Sequence, residues 1–212
     1  MIILFDLDGT LIDSTEAILE SFKHSFDIHD IPHSKDDEIK ALIGYPLDIM
    51  YANLGVKDEK IVDLIATYKA HYREISREKT ELLSNAREAI EIASRFATLG
   101  IVTTKTGEYS KILMEHFDLM RYFDVLIGRE DVQNPKPDAE PILKALQNLD
   151  VKNREIWMIG DTKLDMISAE NAKVNSIGVL SGYDTFETLK EFTRHIFDNA
   201  LEAVIYLENR KK

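Results

Sequence analysis

Residues 1–10 read MIILFDLDGT, and the fold turns on how that stretch is parsed. Ile2 to Phe5 is an unbroken apolar run of strand length, without the polar alternation of a half-exposed strand, so both of its faces need cover, as in a parallel sheet. The run leads straight into Asp6, Leu7, Asp8, Gly9 and Thr10. In a continuing strand, Asp6 and Asp8 would share a face. Gly9 then allows a sharp turn that leaves both carboxylates exposed. A strand end followed by a polar turn is the plain structural reading of these residues. The chemical reading is a pair of acids at the carboxyl end of a parallel strand, where such sheets bind ligands.

Further strand-length apolar runs occur at Leu99 to Thr104, Val125 to Ile127, Ile156 to Ile159 and Ser176 to Leu180. Between them, apolar residues at three- and four-residue spacing predict helices over Asn85 to Phe96, Tyr109 to Phe117, Glu140 to Leu149 and Asp165 to Lys173. Strand alternating with helix predicts an α/β fold, a doubly wound parallel sheet of the Rossmann-like kind. From Ser14 to Leu82 no strand-like run occurs; Glu16 to Phe26 and Lys60 to Glu74 are amphipathic helices, and Ile31-Pro32-His33 and Gly44-Tyr45-Pro46 are connections. The expected organisation is an α/β core over residues 1–13 and 83–212 with an inserted all-helical domain over 14–82.

The 212 residues are 44% hydrophobic and 30% charged, an ordinary globular composition long enough to bury a core. With 26 basic and 38 acidic residues the net charge is -12, which repels nucleic acid and anionic membranes. An anionic ligand must therefore be drawn by a bound cation or by a few focused Lys and Arg side chains. The absence of cysteine excludes disulfides, thiolate nucleophiles and zinc-thiolate sites. The first apolar run is too short for a signal peptide, and no stretch reaches membrane-spanning length. A cytoplasmic protein without nucleic-acid or membrane partners is expected. The terminal Asn209-Arg210-Lys211-Lys212 reads as a solvated helix end.

Each later apolar run also ends in groups that carry chemistry. Thr103, Thr104 and Lys105 close the second; Asn134-Pro135-Lys136-Pro137 follows the third, with Lys136 on a stiff, extended segment between two prolines. The fourth runs into Gly160-Asp161-Thr162-Lys163-Leu164-Asp165, where Asp161 or Thr162 could equally cap a helix. Each feature has an ordinary structural explanation on its own. Together they fall on one rim of one sheet, and carboxylates, a hydroxyl and an amine suit a hard divalent cation, magnesium, with a phosphoryl group. Without the cation such a cluster would repel itself.

Asp6-Leu7-Asp8-Gly9-Thr10, then Thr103, then Lys136-Pro137, then Gly160-Asp161-Thr162-Lys163-Leu164-Asp165, in this order, resembles the haloacid dehalogenase superfamily across the whole chain. The insertion resembles the small helical cap of the subgroup that includes phosphoglycolate phosphatases, pyrophosphatases and β-phosphoglucomutases. The resemblance implies that Asp6 is the nucleophile forming an aspartyl-phosphate and Asp8 the general acid/base. It implies magnesium held by the Asp6 carboxylate, the Asp8 backbone carbonyl and Asp161, with Asp165 as a further ligand or a support behind them. Thr103, Thr104 and Lys136 would bind phosphate, although Thr104 stands where related phosphatases usually carry Asn, which keeps a backbone N–H and loses an amide. Tyr45, in a cap loop over Gly44-Tyr45-Pro46-Leu47, would contact substrate. The expected activity is a magnesium-dependent phosphatase acting on a small phosphorylated metabolite, phosphoglycolate phosphatase-like, as a monomer or homodimer. Inorganic pyrophosphatase and a β-phosphoglucomutase-like phosphomutase are the enzymatic alternatives, the latter weakened by the sparse basic residues of the insertion. A receiver-like phospho-acceptor would carry its acceptor Asp after the third strand. A pseudoenzyme would lack a motif position, and a dehalogenase would have no use for Asp8.

Overall fold

In the computed structural model, which describes residues 1–147 and 149–210, the quoted run becomes β1 (Ile2–Phe5) with all four side chains fully buried. The strand is flanked in parallel on both sides, by β4 (Thr98–Val102) with Ile3 opposite Leu99, and by β6 (Ile156–Gly160) with Ile3 opposite Trp157. Parallel pairing continues outward to β5 (Val125–Ile127), β7 (Asn175–Val179) and β8 (Ile196–Phe197), giving a six-stranded sheet ordered β5-β4-β1-β6-β7-β8. Because side chains alternate along a strand, β1 feeds two separate cores. Ile3 and Phe5 pack with α5 (Ala86–Ala93), α6 (Gly107–His116) and α10 (Ala200–Arg210) through Ile90, Leu113 and Val204. Ile2 and Leu4 pack with α7 (Glu140–Gln147) and α8 (Lys163–Asn171) through Ile142 and Ala169. This is the doubly wound α/β architecture that the alternating runs predict. A short helix, α9 (Phe186–Leu189), precedes β8.

Local limits differ from the periodicity. β4 ends at Val102, not Thr104, and α8 begins at Lys163, not Asp165. β8, only Ile196–Phe197, was not foreseen, because two residues cannot display a period. For the same reason Glu81–Leu82 forms a strand, β3, inside a segment read as strand-free; it pairs with β2 (Ile12–Asp13). Asn148, within the segment read as helix to Leu149, and Lys211 and Lys212 of the basic tail lie outside the described residues.

The chain divides into two compact units, Met1–Asp13 with Leu82 onward, and Ser14–Glu81. The second unit holds α1 (Thr15–Ile28), α2 (Asp36–Lys40), α3 (Leu47–Asn53) and α4 (Asp58–Ile75). It has its own aromatic core: the Phe22 ring lies 4.6 Å from Tyr51 and 5.1 Å from Tyr68. The buried Tyr51 hydroxyl is partnered by Ser25 Oγ at 2.6 Å, as a polar tip in an apolar core requires.

Since β1 is enclosed on both faces and both edges, a void in it cannot be filled by a surface rearrangement. Leu4→Ala is expected to cost about 2–5 kcal/mol of unfolding free energy in urea titrations followed by circular dichroism. A loss under about 1 kcal/mol would mean that this strand is not a tightly packed centre.

Candidate active site

The Asp6 N–H donates to the Ile159 carbonyl at 2.8 Å, so the chain stays laddered to β6 for one residue beyond β1 and delivers the Asp6 carboxylate to the carboxyl rim of the sheet. There the backbone reverses. The Leu7 carbonyl accepts from the N–H groups of Leu11 at 2.9 Å and Ile12 at 3.0 Å, and Gly9 sits at φ +81°, a conformation glycine adopts without steric cost. A Cβ on Gly9 would also run into the Asp161 carboxyl, so only glycine fits. Contrary to the expectation that the turn exposes both carboxylates, Asp6 is only 4% accessible, because strands flank β1 on both sides, and Asp8 is largely covered.

Asp161, directly after β6, is wholly buried and accepts hydrogen bonds from Thr10 Oγ1 at 3.0 Å and the Tyr183 N–H at 2.9 Å. Thr162 is the N-cap of α8, and Asp165 reaches back so that its Oδ2 accepts from the Thr162 N–H at 3.1 Å and hydroxyl at 2.8 Å. The helix-cap reading of Thr162 holds, and the same cap bonds keep the Asp165 carboxyl at the rim. Lys136 comes from the loop after β5. That loop is a tight turn, not the extended segment expected: Asp138 N–H donates to the Pro135 carbonyl at 3.0 Å and the Lys136-Pro137 bond is cis, a form that X–Pro bonds take up readily in turns. Lys136 Nζ lies 2.9 Å from Asp6 Oδ1 and 2.5 Å from Asp165 Oδ1, and donates to the Val102 carbonyl at 3.2 Å.

Asp6, Asp161 and Asp165 have oxygens all within 4.8 Å of one another. Burial raises the Asp6 carboxyl to about 7, Lys136 working against it and Asp165 and Asp8 adding to it. Asp161 is pushed well above its ordinary value, by burial first and then by Asp6 and Asp165. Burial alone would lower the Lys136 ammonium, but Asp165 and Asp6 outweigh it and hold Lys136 above the usual lysine range. One ammonium therefore leaves the cluster short of positive charge. Asp6 Oδ1 is moreover buried without a well-aligned hydrogen bond. An all-oxygen donor set with an under-satisfied buried carboxylate suits a hard divalent cation.

Thr103 is buried at the end of β4, next to β1, and its Oγ1 accepts from the Lys105 N–H at 3.2 Å; Thr104 follows, half-buried. Asp8 does not join the three clustered acids. Its Oδ2 pairs with Lys105 Nζ at 3.0 Å. Tyr45 belongs to the other unit, in the turn between α2 and α3, where its N–H donates to the Leu42 carbonyl at 3.0 Å. The sequence places Lys105 after the second run without revealing its partner Asp8, and the segment after β7 carries groups it does not single out. In that segment Ser181 Oγ donates to the Gly9 carbonyl at 2.8 Å and Asp184 Oδ2 accepts from the Lys163 N–H at 2.6 Å. The rule that polar groups after strand ends share a rim, carried to the fifth apolar run, would have found it.

The haloacid dehalogenase-like hydrolase family profile matches residues 3–179, and the chain belongs to that family. It is 34% identical over 177 residues to the pyrophosphatase PpaX of Halalkalibacterium halodurans, covering 82% of this chain and 80% of that protein. It is 32% identical over 192 residues to the pyrophosphatase PpaX of Bacillus anthracis, covering 89% and 88%. Among solved structures, one described as a predicted phosphatase from Clostridium acetobutylicum superposes with a TM-score of 0.88 at 27% identity, covering 98% of both chains. One described as a predicted phosphoglycolate phosphatase from Haemophilus somnus superposes with a TM-score of 0.87 at 19% identity over 97% of both, a likeness of fold. The protein is an enzyme, a phosphatase of this hydrolase family.

The electrostatics set a pH dependence. With Asp6 at about 7 when folded against an ordinary 3.8, the folded state holds the extra proton, so this contribution to stability is full below the lower value and is lost as pH rises through the upper one. In chelating buffer the stability of the wild type relative to Asp6→Asn should therefore fall between about pH 4 and about pH 8, as read by urea titrations at fixed pH. A difference that stays flat, or grows with pH, contradicts the burial argument.

Proposed function

We propose that the protein is a magnesium-dependent phosphatase that hydrolyses a small phosphorylated substrate through an aspartyl-phosphate on Asp6, with inorganic pyrophosphate the leading substrate. The observation that carries this is the meeting of Asp6, Asp161, Asp165 and Lys136 at one end of one sheet. In this reading an Asp6 oxygen attacks phosphorus, the bond to the leaving oxygen breaks, and Asp8 supplies its proton. Water then attacks the phosphorylated Asp6, and Asp8 takes up the proton released. Lys136 and the hydroxyl and amide groups of Thr103 and Thr104 neutralise and orient the phosphoryl oxygens, which is most of what phosphoryl transfer requires of a protein. The Asp6 and Asp161 carboxylates and the Asp8 carbonyl are the groups that would hold magnesium, which when bound neutralises charge on the transferring phosphoryl group. Both Asp165 oxygens are already engaged, by Lys136 and Thr162, which favours a role in fixing Lys136 over direct ligation.

Pyrophosphate ranks first because the relatives named pyrophosphatase reach 32–34% identity over most of this chain. Phosphoglycolate ranks second, on a name borne by a neighbour of similar fold. The helical unit over 14–81 is read as the cap that selects the leaving group, with Tyr45 its first residue to test. No helix among the described residues is long and apolar enough to cross a membrane; a cytoplasmic enzyme working as a monomer or homodimer is the accompanying proposal.

Steady-state rates with pyrophosphate, phosphoglycolate, hexose phosphates and nucleotides, in magnesium and in chelator, should give highest kcat/KM for pyrophosphate and none without the metal. Asp6→Asn is expected to lose several orders of magnitude in kcat, and Asp161→Asn to lose the heat of magnesium binding in titration calorimetry. Full activity in Asp6→Asn would end the nucleophile assignment; a hexose phosphate preferred over pyrophosphate would overturn the substrate.

A further inference from the structure

Asp8 and Lys105 form a pair set apart from the acidic cluster, and it is not a surface ion pair. Their charged atoms lie 3.0 Å apart, with the side chains only 12% and 8% exposed. Exposed pairs of this kind are worth little, whereas removing one partner of a largely buried pair leaves a charge without compensation. Both backbones are fixed. The Lys105 N–H donates to Thr103 Oγ1 at 3.2 Å, and its carbonyl accepts from the Arg129 N–H at 3.0 Å. The α6 terminus just beyond is tied down by Glu130, whose carboxylate accepts from the N–H groups of Gly107 at 2.9 Å and Glu108 at 3.3 Å. On the other side Asp8 forms a β-bridge with Ile12, and the Gly9 N–H donates to the Ile12 carbonyl at 2.8 Å. An ammonium on one locked loop thus grips a carboxylate on another.

We propose that Lys105 is a positioning residue for Asp8 in the second half of the reaction, the hydrolysis of phosphorylated Asp6. The inference rests on the roles given above to Asp6 and Asp8. The form of Asp8 able to accept a proton is the carboxylate, which is also the form that pairs with an ammonium. In that half-reaction the water oxygen bonds to phosphorus, the bond from phosphorus to the Asp6 oxygen breaks with its electron pair returning to Asp6, and the water proton passes to Asp8. Lys105 keeps its own proton throughout. A base must be held within a fraction of an ångström of the water it activates, so an unanchored Asp8 slows this step. It leaves the first step untouched when the leaving group needs no proton.

p-Nitrophenyl phosphate supplies such a leaving group, and rapid mixing followed by intact-protein mass measurement separates the two steps. Lys105→Met should release about one equivalent of p-nitrophenol in a burst and then turn over slowly, with phosphorylated protein accumulating. Its steady-state rate should be about 10- to 100-fold below wild type. Asp8→Asn should give the same burst and adduct, Asp6→Asn neither, and Lys105→Arg should restore much of the steady-state rate. The double variant of Asp8 and Lys105 should be no slower than the slower single one, since the two act as a unit. If Asp8→Asn accumulates adduct while Lys105→Met, with an unchanged melting curve, turns over linearly without it, the positioning role is wrong and the phosphatase reading stands. If Asp6→Asn still shows burst and adduct, the reading beneath it fails. Should Lys105→Met not fold, Lys105→Gln takes its place with the same two outcomes.

Discussion

The contact on which the rest depends is the one Lys136 makes at the head of the sheet, 2.9 Å from Asp6 and 2.5 Å from Asp165. Three carboxylates within 4.8 Å would not remain together in a folded interior without positive charge among them. Lys136 supplies some of it, and the residual imbalance is visible in Asp6, which burial lifts to about 7 in spite of that lysine. Like charges gathered this closely in a buried rim cost the fold stability, a trade typical of centres built for charge neutralisation.

Holding the cluster requires a rigid platform, and β1 provides it. Its alternate residues anchor separate cores on the two faces of the sheet, so Asp6 leaves a strand that cannot shift without disturbing both. The neighbouring strands deliver the other members: β6 carries Asp161, the helix cap of α8 holds Asp165, and the turn after β5 brings Lys136 between them. These groups are positioned by bonds that belong to ordinary secondary structure, namely ladder, cap and turn. Asp8, two residues past Asp6, is governed instead by Lys105. Two lysines from two loops thereby divide two nearby aspartates into different environments.

Fold class, and the gathering of Asp6, Asp161, Asp165 and Lys136 at one rim, can be read from the order of residues along the chain. Unbroken apolar runs alternating with helical periodicity allow little but a covered parallel sheet, and polar groups that follow such runs must share a rim. The rim positions of Asp6, Asp161, Asp165 and Lys136 were therefore legible from their places after the apolar runs. Tertiary structure decided what periodicity cannot carry. Two-residue strands such as Glu81–Leu82 and Ile196–Phe197 display no pattern. The burial of Asp6 comes from strands flanking β1 that are about a hundred and about a hundred and fifty residues distant in sequence. The pairing of Asp8 with Lys105, and the Ser181 hydroxyl on the Gly9 carbonyl, link segments far apart along the chain. Which strand end each acid occupies is a local property of the chain, set by apolar spacing; which cation or donor faces it depends on long-range packing, and only the folded molecule decides that.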